Sequence, residues 1–202
     1  TSEEAPSQGF DDICRVINHP LLQHNLTRLR DKRTEPREFR RVMEQLSALI
    51  AYEITRDLGL SSTTIDTPME EFDAPVVRDD IVIVSIMRAG NGMLDGLMRM
   101  LPFSRVGHIG IYRDKFIQNT VEYYFRIPDN VKGRTILLAD PLIATGDTAV
   151  ASVDRLKEYE VGKIRFVSLL ASPQGLERLR EHHPDVEVYT LSIERGLDEN
   201  GY

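Results

Sequence analysis

Thr135-Ile-Leu-Leu-Ala-Asp-Pro-Leu-Ile-Ala-Thr-Gly-Asp-Thr148 is the stretch whose reading decides the fold. Residues 136 to 139 are all apolar, the pattern of a strand buried on both faces of a parallel sheet. Asp140 then places a carboxylate at the strand's carboxyl end, where ligands sit in open α/β sheets. Thr145, Gly146, Asp147 and Thr148 make a short polar turn, after which Ala149, Val150, Val153, Leu156 and Tyr159 recur at helical spacing. A helix opening there aims unpaired amides and its positive dipole end at whatever the loop encloses, and an anion fits best. The two Thr hydroxyls add donors, and Asp140 is placed to accept hydrogen bonds from sugar hydroxyls. One loop thus offers a phosphate cradle and a ribose clamp together.

Outward from this loop, apolar strands alternate with helical patterns. Ile81–Ile86 reads as a strand, Met93, Leu94, Leu97, Met98 and Leu101 as a helix, and Val106–Ile111 as a second core strand. Residues 112 to 127 carry Tyr112, Tyr123, Tyr124 and Phe125 and suggest a projecting hairpin. Helix 148–159, strand 164–170, helix 174–181 and strand 186–191 follow the central loop. On the amino-terminal side, a short helix follows Pro20. Pro36 opens a long helix running to about Leu58, with Gly59 as its stop. Its apolar stripe is Phe39, Val42, Met43, Leu46, Leu49, Ile50 and Ile54, which needs the sheet or a second subunit to cover it. Residues 61 to 78 read as a strand plus connection, and residues 1 to 12 as a loose tail. The alternation predicts a single α/β domain with a mostly parallel sheet and helices on both faces.

Composition sets bounds. The chain has 202 residues, enough for one sizeable core, and its hydrophobic (41%) and charged (28%) fractions are those of a globular protein. The net charge of -7 and the lack of a basic block argue against a nucleic-acid partner. No apolar run approaches a membrane span, and Thr1 to Phe10 are unlike a secretory signal. The single cysteine, Cys14, precludes an internal disulfide and suits a reducing cytoplasm. The histidines show no metal-ligand spacing with cysteines or acids, and His108 falls within a strand pattern, where packing is the expected role.

Two arginines stand at strand ends. Arg88 follows the strand Ile81–Ile86 and precedes Ala89-Gly90-Asn91-Gly92, small residues that let backbone approach a ligand. An arginine there offers a forked donor to phosphate oxygens. A dinucleotide fingerprint would need glycine at 95, where Asp95 stands, and no Gly-Lys-Ser/Thr follows a glycine-rich loop. Arg113, in Tyr112-Arg-Asp114, would by itself read as a solvated turn.

The loop Asp140–Thr148 resembles the phosphoribosyl-diphosphate (PRPP) loop of type I phosphoribosyltransferases, and its form Asp-Pro-Leu-Ile-Ala-Thr-Gly-x-Thr resembles the uracil phosphoribosyltransferase family. Purine and orotate enzymes usually open this loop with two acidic residues, whereas here the first position is Ala139. The resemblance extends through His19-Pro-Leu-Leu22, Met87-Arg-Ala-Gly-Asn-Gly-Met-Leu-Asp-Gly96 and Val106-Gly-His-Ile-Gly-Ile-Tyr-Arg-Asp114. It continues in Val121-Glu-Tyr-Tyr-Phe125, Ala171-Ser-Pro-Gln-Gly175, His183-Pro-Asp-Val-Glu-Val-Tyr189 and Gly196-Leu-Asp-Glu-Asn-Gly-Tyr202.

This resemblance implies a type I phosphoribosyltransferase-like fold with a projecting β-hairpin and a small hood, and transfer of phosphoribose from PRPP to uracil, giving UMP and pyrophosphate. It implies PRPP binding by Arg88 and Arg113 (pyrophosphate), Asp140 (ribose hydroxyls), Pro141, Leu142, Ile143 and Ala144 (the loop), and Thr145, Gly146, Asp147 and Thr148 (5′-phosphate). Leu142 and Tyr202 would neighbour uracil. Mg²⁺ is expected on PRPP rather than on protein side chains, GTP as a candidate allosteric activator, and a cytoplasmic homodimer or homotetramer as the assembly. No general base can be named. The other reading is a non-catalytic phosphoribosyltransferase-like domain that binds PRPP or nucleotide and regulates.

Two positions depart from the family pattern. Asp147 stands where glycine is common, so its carboxylate is expected to point outward, away from a bound phosphate. After Gly201-Tyr202 the family continues with an Ile-x-Pro-Gly-Leu-Gly-Asp-Ala-Gly-Asp stretch that reads the uracil edge; it is missing from this sequence, and the base-recognition segment is expected to lie beyond it.

Overall fold

The computed structural model describes residues 9–77, 81–114 and 116–194. In chain order the elements are β1 (Cys14–Val16), α1 (Pro20–Arg30), α2 (Pro36–Ile54), β2 (Leu60–Asp66), β3 (Glu71–Val77), β4 (Ile81–Met87), α3 (Asn91–Met100), β5 (Arg105–Asp114) and β6 (Asn119–Arg126). They continue as β7 (Thr135–Ala139), β8 (Leu142–Ile143), α4 (Asp147–Lys157), β9 (Ile164–Val167), β10 (Leu170–Ala171), α5 (Pro173–His182), β11 (Glu187–Thr190) and β12 (Ser192–Ile193).

The central sheet has seven strands in the order β1-β11-β9-β7-β4-β5-β6, parallel throughout except for β6 against β5. The apolar runs of β4 and β7 feed two cores, one on each face. Val82, Val84, Ile86, Ile136 and Leu138 face one core with Val150, Val153, Leu156, Leu176 and Leu179 of α4 and α5. Ile81, Ile83, Leu137 and Ala139 face the other with α1, α2 and α3. This two-sided burial explains why neither strand alternates with polar residues. The carboxyl ends of β4, β5 and β7 thereby meet at one edge, carrying Arg88, Arg113 and Asp140.

Four expectations need correction. The amino-terminal tail is anchored from residue 9 onward: Phe10 is buried beneath the Arg180 guanidinium, Gly9 accepts from Arg180 Nη1 at 3.2 Å, and β1 pairs with β11 at the sheet edge. Helix α2 stops at Ile54, not Leu58, because the buried Arg165 of β9 donates to the Ile54 carbonyl at 2.7 Å and also holds Asp57. Of its stripe, Val42, Met43, Leu46, Ile50 and Ile54 are buried, while Phe39 and Leu49 sit at the margin and are partly exposed. In place of the strand plus connection expected over 61 to 78, residues 60 to 77 hold two strands, β2 and β3, forming an antiparallel hairpin whose Thr67 Oγ1 accepts the Met69 and Glu70 amides at the turn. The strand expected over 164–170 breaks after Val167 because Leu169 and Leu170 donate to the Pro141 carbonyl instead of extending the ladder.

The projecting hairpin is β5–β6, closed by the Asp114 carboxylate accepting the amides of Phe116 and Ile117. A second small parallel sheet, β12-β10-β8, stands on the carboxyl edge over the central loop. Among the described residues no helix is long and apolar enough to cross a membrane.

Candidate active site

The loop after β7 is built before any ligand arrives. Asp140 donates its amide to Val167 at 3.1 Å, so the chain leaves the sheet only at Pro141, whose carbonyl takes Leu169 and Leu170 at 2.9 and 3.0 Å. Leu142 and Ile143 then form β8 and pair with Leu170 and Ala171 of β10. Ser172 closes the clamp, its amide donating to Ile143 at 2.9 Å and its hydroxyl to the Ala144 carbonyl. Gly146 is left-handed, at φ +84°, and turns the chain into α4. A Cβ at Gly175 would lie 2.6 Å from the Ala144 carbonyl oxygen, and one at Gly146 would lie 2.9 Å from that of Gly175, so the loop and the start of α5 touch backbone to backbone.

The amides of Thr145, Gly146, Thr148 and Ala149 have no protein acceptor among the described residues. They are the orphan donors of the α4 amino end. They face a cavity of about 80 Å³ lined by Asp140, Leu142, Ile143, Ala144, Thr145, Gly146, Thr148 and Ala149, the size of a small anion's seat. Asp140 stands at its sheet end. Burial pushes its carboxyl up to about 7, while a hydrogen bond from the Leu142 amide opposes the rise. That carboxylate needs donors, and ribose hydroxyls would supply them.

The Arg88 loop lies alongside. A Cβ at Gly90 would sit 2.4 Å from the Ala139 carbonyl oxygen, so only glycine lets the turn after β4 press against the end of β7. The Met87–Arg88 peptide is cis. The amides of Gly90, Asn91, Gly92 and Met93 are used within the turn, and the exposed Arg88 guanidinium has no hydrogen bond or ion pair among the described residues. It is a free cation at the mouth of the site.

Arg113 is placed differently. Its guanidinium pairs with the Asp147 carboxylate, which also takes Arg178 Nε at 2.6 Å and the Thr145 hydroxyl at 3.1 Å. The Asp147 side chain is 12% exposed. It does not line the anion cavity, in keeping with the expectation that it points away from a bound phosphate, but two arginines and the Thr145 hydroxyl hold it instead of water. A polar cavity of about 320 Å³ between the β5–β6 hairpin and α4–α5 opens beside this cluster. Arg178, Ser172 and Gly175 were not among the site residues expected from sequence. The run Ala171-Ser-Pro-Gln-Gly175 was a signal for the last two, whereas nothing around Arg178 distinguishes it from any helical arginine.

The structure thus gathers Arg88, Arg113 and Asp140 to Thr148 at one sheet edge, and Tyr202 lies outside the described residues. Leu142 is partly exposed at the cavity rim. A cavity of about 610 Å³ between β1, α1 and α2 includes none of these residues. Among the described residues no three His, Cys, Asp or Glu side chains converge as metal ligands.

Comparison with known proteins bears on these features. A family model described as uracil phosphoribosyltransferase matches residues 16–202. The chain is similar to a uracil phosphoribosyltransferase from Myxococcus xanthus, 49% identical over 190 residues that cover 94% of this chain and 90% of the relative. One from Brucella anthropi is 48% identical over 188 residues, covering 93% and 90%. Among solved structures, a protein from Aquifex aeolicus superposes with a TM-score of 0.90 at 28% identity, covering 94% of this chain and 91% of that one. An adenine phosphoribosyltransferase from Leishmania donovani shares the fold at a TM-score of 0.63 and 13% identity, covering 96% and 89%.

Proposed function

The chain belongs to the uracil phosphoribosyltransferase family, and from that premise we propose how its residues carry out the transfer of phosphoribose from PRPP to uracil. The bond from the anomeric carbon to pyrophosphate breaks, a bond from that carbon to uracil nitrogen forms, and the uracil nitrogen loses its proton. The products are UMP and pyrophosphate, which makes this a pyrimidine-salvage reaction.

The arrangement of three groups around one ribose supports this reading. The free amides of residues 145, 146, 148 and 149 would take the 5′-phosphate, with the Thr148 hydroxyl as a further donor and the Thr145 hydroxyl joining it on leaving Asp147. Asp140 would accept from the ribose hydroxyls. Their hydrogen bonds would favour the ionised carboxylate and offset the burial that raises its pKa. Arg88 and Arg113 would hold the departing pyrophosphate, where negative charge develops. Pro141 to Ala144 keep the loop in shape, and Leu142 would meet one face of the base. The transition state is expected to resemble an oxocarbenium ion, so catalysis rests on positioning and on charge stabilisation at the leaving group. A bound Mg²⁺ would neutralise part of the diphosphate charge. The β5–β6 hairpin carrying Arg113 would cover the sugar cation and exclude water. We place the protein in the cytoplasm as a homodimer or homotetramer, with the exposed Ile65, Met69 and Phe72 of the β2–β3 hairpin as a contact between copies.

The observation that carries the mechanism is Asp140, a buried carboxylate between an anion cradle and a free arginine. Incubation of the protein with radiolabelled uracil, PRPP and Mg²⁺ tests it. UMP and pyrophosphate should form in equal amounts. PRPP binding without UMP would point to the regulatory reading.

A further inference from the structure

β4 is an apolar strand with one polar interruption, Ser85, and that side chain is completely buried. Its hydroxyl lies 2.7 Å from Asn91 Oδ1 and 2.7 Å from His108 Nδ1. These partners come from separate elements. Asn91 is the first residue of α3, immediately after the Arg88 turn, and His108 stands directly opposite Ser85 on β5. Ser85 and Asn91 therefore flank Arg88 on both sides, and their hydrogen bond closes the turn at its base. His108 fastens the same point to β5, the strand that goes on to carry Arg113. One buried hydroxyl thus joins the two segments bearing the proposed pyrophosphate ligands.

The proton count makes the arrangement directional. A serine has one O–H, so with Asn91 Oδ1 as its acceptor the Ser85 oxygen must receive its second hydrogen bond from His108 Nδ1–H. The three groups are then satisfied in a fixed order, and the Arg88 turn has one preferred height above the sheet. Packing alone does not require this network: the neighbouring positions of β4 are aliphatic, and an alanine would fill most of the serine's volume.

We propose that Ser85, Asn91 and His108 are positioning residues that set where the Arg88 turn meets the pyrophosphate of PRPP, acting through hydrogen bonds and not by touching substrate. The proposal rests on the reading of Arg88 as a pyrophosphate ligand. Ser85→Ala, Asn91→Ala and His108→Leu are each expected to lower kcat/KM for PRPP and affinity for pyrophosphate about tenfold, since small misplacements of a binding group carry costs of that order. UMP affinity should stay within about twofold, because UMP does not reach Arg88. His108→Asn, whose side-chain amide can occupy the place of Nδ1, should recover most of the loss.

Calorimetric titration of each variant with pyrophosphate and with UMP, alongside thermal melts, decides the matter. Asn91 is on the surface, so its variant keeps the test valid if the Ser85 or His108 changes unfold the core. Equal weakening of both ligands, or a defect in Asn91→Ala with none in a folded Ser85→Ala, would overturn the network, the latter because it would make Asn91 a direct contact. Failure of the underlying reading looks different: wild-type protein would then make no UMP, and Arg88→Ala would leave pyrophosphate binding unchanged.

Discussion

Two neighbouring loops at the carboxyl edge of the sheet are built to different degrees. The loop after β7 is clamped on every side, by β10, by Ser172 and by the close approach of Gly146 and Gly175, and its free amides already point into a small cavity. The ligands proposed for pyrophosphate are unfinished by comparison. Arg88 projects from a short turn with no partner among the described residues, and Arg113 is held by Asp147. On the proposed reading, the group retained in the product would meet a rigid seat, while the group that leaves would meet side chains that gather around it. A rigid seat lowers the ordering cost of binding, and movable arginines let the leaving group go.

The largest effect should come from breaking the seat. Gly146→Val puts a branched side chain at φ +84° and against the Gly175 carbonyl. A loss of about 1–3 kcal/mol in stability is expected from such backbone strain, with UMP formation falling about a hundredfold. Arg88→Ala should leave the denaturation midpoint untouched. If the glycine variant unfolds like wild type and turns over normally, the seat is not prebuilt.

Asp140→Asn comes next. Losing a charged hydrogen bond costs about 1.5–3 kcal/mol, so activity should drop at least about tenfold. pH sharpens the test. Burial raises the carboxyl from its ordinary 3.8 to about 7 in the fold, so between those values the folded chain binds more protons than the unfolded one, and stability falls as pH rises through that window. The asparagine variant should lack that decline in urea titrations at stepped pH. Catalysis moves the opposite way: kcat/KM for PRPP should rise through about pH 7 as Asp140 ionises, over and above the ionisation of PRPP itself, and that added rise should vanish in the variant.

The smallest effect concerns Asp147. Asp147→Asn releases Arg113 from its ion pair, so pyrophosphate should bind about threefold more tightly at low salt, and the gain should shrink as salt is added. Weaker binding instead would mean that Asp147 presents Arg113 in a productive pose.

Much of this contrast was legible in the sequence because it lies in strands buried on both faces. β4 and β7 read as unbroken apolar runs, and a carboxylate, glycines and threonines at their ends mark a ligand site. β1 was missed because it has three residues with Arg15 at its centre, too short for any period. The β2–β3 hairpin is exposed along nearly its whole length, so no buried face imposed an alternation to read. The clamp on the phosphate loop depends on two-residue strands and on Ser172, Gly175 and Arg178, which meet residues 142 to 147 only through tertiary contact. Asp147 illustrates the same limit, since its two arginine partners come from β5 and α5.

The central claim is that 5′-phosphate and pyrophosphate are held by separate loops on either side of one ribose. Calorimetric titration of UMP and of pyrophosphate with Mg²⁺ into wild type, Arg88→Ala and Arg113→Ala tests it most directly. The account predicts UMP affinity within about twofold of wild type in both variants and pyrophosphate affinity reduced at least about tenfold, more in Arg88→Ala because Arg113 must first leave Asp147. Equal weakening of both ligands would contradict it and place the arginines on the 5′-phosphate.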